Sequence, residues 1–343
     1  MLGVAENAVQ LYGEGHEQKT RQSGGRGARR DEEVVPRTWV VGSQVLSKGS
    51  RITLGSPRGA LGAQATGAIR SNVRPVSEES GTWHYGLLAR WWAEFNVAEP
   101  EELNYFRATI QRFGEPVLDL GCGTGRILLP LLAEGFDVDG ADISADMIAL
   151  AEVAAAKAGV TPQLTVQAMH QLDLARTYRT IYICGSFGIG GRRDYDRDAL
   201  KRAYRHLEPG GALLITQINL PYDDDGEGWA QWIPGHRDDI PGEWPAEGER
   251  RTASDGDELE NLFRVGELDP FMQRTTYQMR TRLWHEGKIV KEEEHSIRLN
   301  IYLVQEVLGM LDAAGFRDLA VEAGYTGKPA TADDGSVNFV AIK

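Results

Sequence analysis

Val117-Leu118-Asp119-Leu120-Gly121-Cys122-Gly123-Thr124-Gly125-Arg126-Ile127-Leu128-Leu129-Pro130 is an apolar run closed by an acid, then three glycines at alternate positions, then an apolar helical pattern. Physically this is a buried parallel strand, a tight turn and a helix start. Glycines at 121, 123 and 125 tolerate positive φ and put no Cβ between the backbone and a ligand. The helix N-terminus behind them offers free N–H groups to a polar or anionic group. Two nucleotide loops are excluded by spacing. A dinucleotide fingerprint requires glycine at the sixth position, which is Arg126 here, and a phosphate-cradling loop requires Gly-Lys-Ser/Thr, which is absent.

The pattern that is present, Asp119-x-Gly121-x-Gly123-x-Gly125, resembles motif I of the class I S-adenosylmethionine-dependent methyltransferases. The resemblance implies that Asp119, Gly121, Cys122, Gly123 and Gly125 serve S-adenosylmethionine. An acid two residues before the first glycine suits a cofactor that carries an amino group and a sulfonium.

Composition bounds the rest. The chain has 343 residues, enough for one large domain with insertions or two modest ones, and its 41% hydrophobic content is that of a globular protein. No stretch approaches the roughly 20 apolar residues that span a bilayer, and the N-terminus lacks a secretory pattern. The two cysteines, Cys122 and Cys184, sit in apolar contexts outside any CxxC pair. This points to reduced thiols, a cytoplasmic location and no metal site. A net charge of −13 argues against a nucleic-acid surface. Residues 1–75 hold eleven Lys and Arg against six Asp and Glu, which leaves −18 for the rest. That glycine-rich segment cannot bury enough surface to offset chain entropy and reads as a disordered extension before a domain over 76–343.

Taken in order, apolar residues from Thr82 to Phe95 fall at helical spacing, with dense aromatics. The resemblance makes Tyr85 a candidate for closing over the methionine end. A second helix spans Glu101 to Phe113. After the glycine loop comes a strand ending in Asp142, 17 residues beyond Gly125. That is near the spacing at which an acid holds ribose hydroxyls in nucleotide-type folds. Ser144 is placed to cap a helix over Ala145–Ala158, which frees Asp142 for a ligand, with Ile143 and Met147 beside it against an adenine. The third strand, Gln163–Val166, runs into Ala168, where many relatives carry an acid for the adenine amino group. Met169 or His170 takes that role on this reading. The fourth strand runs from Thr180 into Cys184, Gly185 and Ser186, small residues at a strand end where open α/β sheets bind ligands. An Asn/Asp-Pro-Pro-aromatic motif of base N-methyltransferases is absent there, a second argument against nucleic acid.

Tyr195–Leu207 reads as a helix and Ala212–Ile218 as the fifth strand. Residues 221–302 form an insertion. Its first part carries acids and tryptophans, and Trp229 and Trp232 are candidates for contacting a cationic or amine-bearing substrate. An acidic solvated loop anchored by its tryptophans is the alternative. Period-two patterning from Glu258 to Tyr302 predicts a three-stranded antiparallel meander. Such sheets resemble those of amino-sugar N-methylating enzymes, where they wall the acceptor pocket or form a homodimer interface.

The fold expected is α/β: a Rossmann-like, doubly wound, seven-stranded sheet with an antiparallel last strand and an antiparallel insertion after strand five. The resemblance implies methyl transfer from S-adenosylmethionine to N or O of a small-molecule acceptor. A protein or RNA methyltransferase and a non-catalytic S-adenosylmethionine-binding protein are the alternatives. A hydroxyl acceptor would profit from a general base, for which His236, His295 and Tyr222 are candidates.

Overall fold

The computed structural model describes residues 38–41, 44–47, 82, 84–221 and 230–343. Within residues 1–75 the described part is an antiparallel hairpin of β1 (Thr38–Val41) and β2 (Gln44–Ser47). The rest of that extension lies outside the described residues.

The central sheet is built from short strands that alternate between two apolar faces. In β3 (Val117–Leu120), Leu118 and Leu120 join one core cluster while Val117 joins the other. In β6 (Tyr178–Cys184), Ile181 and Ile183 face the first cluster and Tyr182 the second. The same alternation holds in β7 (Leu207–Asn219), with Leu213 and Ile215 opposite Ala212 and Leu214. Strands buried on both faces read as continuous hydrophobic runs, which is why the sequence shows them as such. Each large side chain so buried contributes roughly 1.5–3 kcal/mol.

The first face is covered by α5 (Arg193–His206) and α6 (Val304–Ala314). The second is covered by α2 (Pro100–Phe113), α3 (Leu128–Ala133) and α4 (Ala145–Ala158). With β4 (Val138–Asp142), β5 (Gln163–Val166), β12 (Arg317–Ala323) and β13 (Ser336–Ile342), the sheet runs β12-β13-β7-β6-β3-β4-β5. Pairings among β3 to β7 are parallel, and β13 runs antiparallel to both its neighbours. The expected seven-stranded sheet with an antiparallel last strand is therefore present.

The insertion is a four-stranded antiparallel sheet, not the three-stranded meander expected. Its order is β11 (Lys288–Asn300), β10 (Arg274–His285), β9 (Glu258–Asp269) and β8 (Glu249–Thr252). The extra strand, β8, is Glu-Arg-Arg-Thr and mostly exposed, so it carries no apolar alternation to read. β10 and β11 meet at Glu286-Gly287, both with positive φ (49° and 73°), as a two-residue hairpin turn requires.

One further helix, α1 (Gly86–Phe95), lies between this sheet and α4. Leu88 and Trp92 pack with Met147, Met279 and Ile297, while Leu87 and Trp91 pack with Ala253 and Leu259. Its N-cap residue, Tyr85, gives no side-chain cap. Two carboxylates from distant elements serve instead: Gly86 N–H donates to Asp146 (2.8 Å) and Leu87 N–H to Glu293 (2.7 Å). Negative charge at a helix N-terminus also complements the helix dipole. Among the described residues no helix is long and apolar enough to cross a membrane.

Candidate functional site

The glycine loop leaves β3 with Gly121 at φ 87° and Gly123 at φ 55°. A Cβ on Gly121 would lie 2.5 Å from Ser186 Oγ and 2.6 Å from Met169 Cε, so only glycine lets the loop sit against both. Gly123 N–H donates to Asp142 Oδ2 (2.9 Å) and Ser144 N–H donates to Asp142 Oδ1 (2.8 Å). The loop after β3 and the end of β4 are thus tied through one carboxylate. Ser144 caps α4 as expected, its Oγ accepting from Met147 N–H at 3.2 Å, and the same hydroxyl donates to the His84 carbonyl before α1. Burial raises the Asp142 pKa against the pull of those two N–H groups.

These elements enclose a cavity of about 750 Å³. Of the residues singled out in the sequence, Gly121, Cys122, Gly123, Asp142, Ile143, Met147, Met169, His170, Cys184 and Gly185 line it. Asp119 lies outside the lining, 2% exposed, and its Oδ1 has no hydrogen-bond partner among the described residues. Burial pushes its carboxyl up to about 8. Gly125 faces a smaller neighbouring cavity of about 350 Å³.

Tyr85 does not line the large cavity. The segment before α1 is extended at Tyr85 (φ −143°, ψ 164°), so successive side chains point to opposite sides. His84 therefore faces the cavity, and the Tyr85 ring packs on His295 with centroids 4.6 Å apart. His295 itself is buried, with Nε2 3.5 Å from Glu293, and lies outside the lining. His236 is exposed and Trp232 half-buried, both outside the lining. Tyr222 and Trp229 lie outside the described residues.

The cavity also holds residues the sequence reading passed over. Arg126 forms a two-armed ion pair with buried Glu102, and Tyr325 Oη donates to the same carboxylate at 2.6 Å. Burial alone would raise the Glu102 pKa, but these donors hold it below the usual range. Arg126 Nη2 also lies 3.2 Å from Cys184 Sγ, so the guanidinium is fixed where it lines the cavity. On the other side, the His170 ring stacks on Tyr195 with centroids 3.8 Å apart and planes 10° apart, and Arg192 covers the Tyr195 ring at 4.2 Å. Arg192, Tyr195, Asp196 and Ser186 complete this flank. Cys184 is pushed up to about 12 and Cys122 also upward, both by burial, so neither thiol ionises to a nucleophile near neutral pH.

Residues 117–211 match the Methyltransf_25 family, described as "Methyltransferase domain", over the stretch that builds the glycine loop and the ends of β4, β5 and β6. The seven-stranded sheet and its antiparallel β13 are those expected from the motif I resemblance. Residues 117–211 thus match a methyltransferase domain, and the sheet around them has the architecture the motif I resemblance implies for class I S-adenosylmethionine-dependent methyltransferases.

Among similar proteins, one of Geobacillus sp. (strain WCH70), named as a candidate methyltransferase, is 28% identical over 41% of this chain and 60% of its own length. The ubiquinone biosynthesis O-methyltransferase of Xanthomonas oryzae pv. oryzae (strain PXO99A) is 26% identical over 44% of this chain and 67% of its own. The chain thus spans about three fifths to two thirds of these relatives. In fold, an S-adenosylmethionine-dependent methyltransferase from Clostridium acetobutylicum ATCC 824 superposes with TM-score 0.56 at 16% identity, covering 74% of this chain and 96% of that one. The CcbJ methyltransferase of Streptomyces caelestis gives 0.51 at 21% identity, covering 71% and 96%.

Proposed function

We propose that this protein transfers a methyl group from S-adenosylmethionine to a nitrogen or oxygen atom of a small-molecule acceptor. The observation that carries the reading is Asp142. Its carboxylate stands at the end of β4 on the cavity lining, pinned by N–H groups of the glycine loop and of Ser144. A carboxylate so fixed has lone pairs left to accept from ribose hydroxyls. Ile143 and Met147 supply apolar surface for the adenine. The glycine loop, on the lining, suits the amino-acid end of the cofactor.

S-adenosylmethionine, when bound, supplies a methyl group already activated on a sulfonium. The protein's task is then to position the acceptor and exclude water. Walls from α1, α5 and the insertion sheet around the cavity suit the positioning of an acceptor. A volume of about 750 Å³ has room for a cofactor and a small acceptor together. The O-methyltransferase among the relatives supports an oxygen acceptor, and the acidic body of the chain is compatible with an amine. On this reading residues 76–343 are the methyltransferase domain and 221–302 its substrate-side insertion.

The test is incubation with methyl-labelled S-adenosylmethionine and a panel of small amines, phenols and alcohols. Label is expected in a small-molecule product. Label confined to protein or RNA, or cofactor bound with no transfer to anything, would favour the alternatives.

A further inference from the structure

We infer that Asp196 is the catalytic base on the acceptor side of the cavity, contacting the acceptor atom and taking its proton. This rests on the methyltransferase reading and extends it to the acceptor subsite. Asp196 lies in the first turn of α5, where an acid usually faces solvent and complements the helix dipole. Here it is 7% exposed and lines the cavity.

Its position is fixed by the last residue of β11 and the segment that follows it. Tyr302 Oη donates to Asp196 Oδ2 at 2.6 Å and Asn300 Nδ2 donates to the same oxygen at 2.7 Å. The Asn300 amide is oriented in turn because its Oδ1 accepts from Arg193 Nη1 at 3.0 Å. Both bonds go to one oxygen, which leaves Oδ1 for the cavity.

The surroundings suit proton transfer near neutral pH. The charged or titratable groups around Asp196 are Arg192, Arg193 and Asp194 by chain position, Tyr302 after β11, Glu306 on α6 and His170 on the same lining. Burial pushes the carboxyl up to about 6, against the pull of Tyr302 and Asn300. An acceptor with an ordinary acidity of about 10, a protonated amine or a phenol, is then within roughly four units of its base. An aliphatic alcohol lies much further away. In the step, the N–H or O–H bond of the acceptor breaks and the proton bonds to Asp196 Oδ1. The electron pair stays on the acceptor atom and forms the new bond to the methyl carbon, while the carbon–sulfur pair remains on sulfur as a thioether.

The test compares wild type with Asp196→Asn and Tyr302→Phe in three measurements. These are S-adenosylhomocysteine binding by calorimetry, the pH profile of kcat/KM with labelled S-adenosylmethionine over primary amines, phenols and aliphatic alcohols, and carbon-13 NMR titration of labelled Asp carboxyls. Wild type is expected to methylate an amine or a phenol with an acid limb near pH 6. Asp196→Asn should bind S-adenosylhomocysteine within about threefold of wild type, lose kcat by about 10² to 10³ and lose both the acid limb and one carboxyl signal titrating near 6. Tyr302→Phe removes a donor to the charged form, so its limb should move to higher pH with the carboxyl retained. Full activity and an unchanged limb in Asp196→Asn would overturn the assignment, as would methylation of aliphatic alcohols alone. Wild type that does not bind S-adenosylhomocysteine would remove the methyltransferase reading itself, an outcome the calorimetry separates from the first two.

Discussion

At the scale of single residues, the cavity is a set of ionisable groups whose charge is decided by what surrounds them. His84 shows this most sharply. It lines the cavity beside α1, and burial, followed by the nearby His295, lowers its pKa to about 3. A histidine depressed in the folded state is neutral there while the unfolded chain takes up a proton below about 6.5. Its share of stability is therefore complete above pH 6.5 and is lost as pH falls toward 3. Asp119 and Asp196, both raised, act in the opposite direction over their own ranges, so the test must be a difference. Between pH 7 and pH 4, His84→Gln should lose about 2 kcal/mol less stability than wild type, after allowance for the partly open edge of the ring. Urea unfolding at the two pH values reads this directly. Parallel losses in both proteins would mean that His84 is protonated without cost.

At the scale of elements, the insertion sheet is joined to the doubly wound core through Arg193. From the start of α5 its guanidinium donates to Glu306 (2.9 Å), the Met272 carbonyl (2.8 Å), Asn300 Oδ1 (3.0 Å) and the Ile301 carbonyl (3.1 Å). Arg193→Met keeps the aliphatic stem but strands these acceptors, and should cost about 2–4 kcal/mol. Hydrogen exchange should quicken across residues 273–301 and stay unchanged in β3 and β6. Equal quickening throughout would show that Arg193 serves global stability rather than the docking of the sheet.

What the sequence reveals about elements follows from the same physics. Ala145–Ala158 with its Ser144 cap was legible because capping is local. β3, β6 and β7 were legible because burial on both faces writes an unbroken apolar run. β8 was not, since an exposed Glu-Arg-Arg-Thr edge strand gains its conformation from a neighbour and leaves no pattern of its own. Asp196 was hidden for a related reason: a first-turn acid looks like an ordinary dipole partner until a distant Tyr302 and Asn300 bury it. Tyr85 was the candidate, and its neighbour His84 faces the cavity instead because only the extended backbone at residue 85 decides which of the two side chains does.

At the scale of the molecule, four separate parts of the chain converge on one cavity. The strand ends of the central sheet bring the glycine loop and Asp142, α1 brings Trp92 and Asn96, and the start of α5 brings Tyr195 and Asp196. The insertion sheet reaches it at Leu299 and holds α1 in place through Glu293. Cofactor binding is the claim on which every other functional statement depends. It is tested most directly by calorimetric titration of wild type and Asp142→Ala with S-adenosylmethionine, with thermal melts confirming that both are folded. The account predicts saturable one-to-one binding by wild type. The variant should bind about 100-fold more weakly, the loss expected for two charge-assisted hydrogen bonds to ribose. Equal affinity in the two proteins, or no binding by wild type, would contradict it.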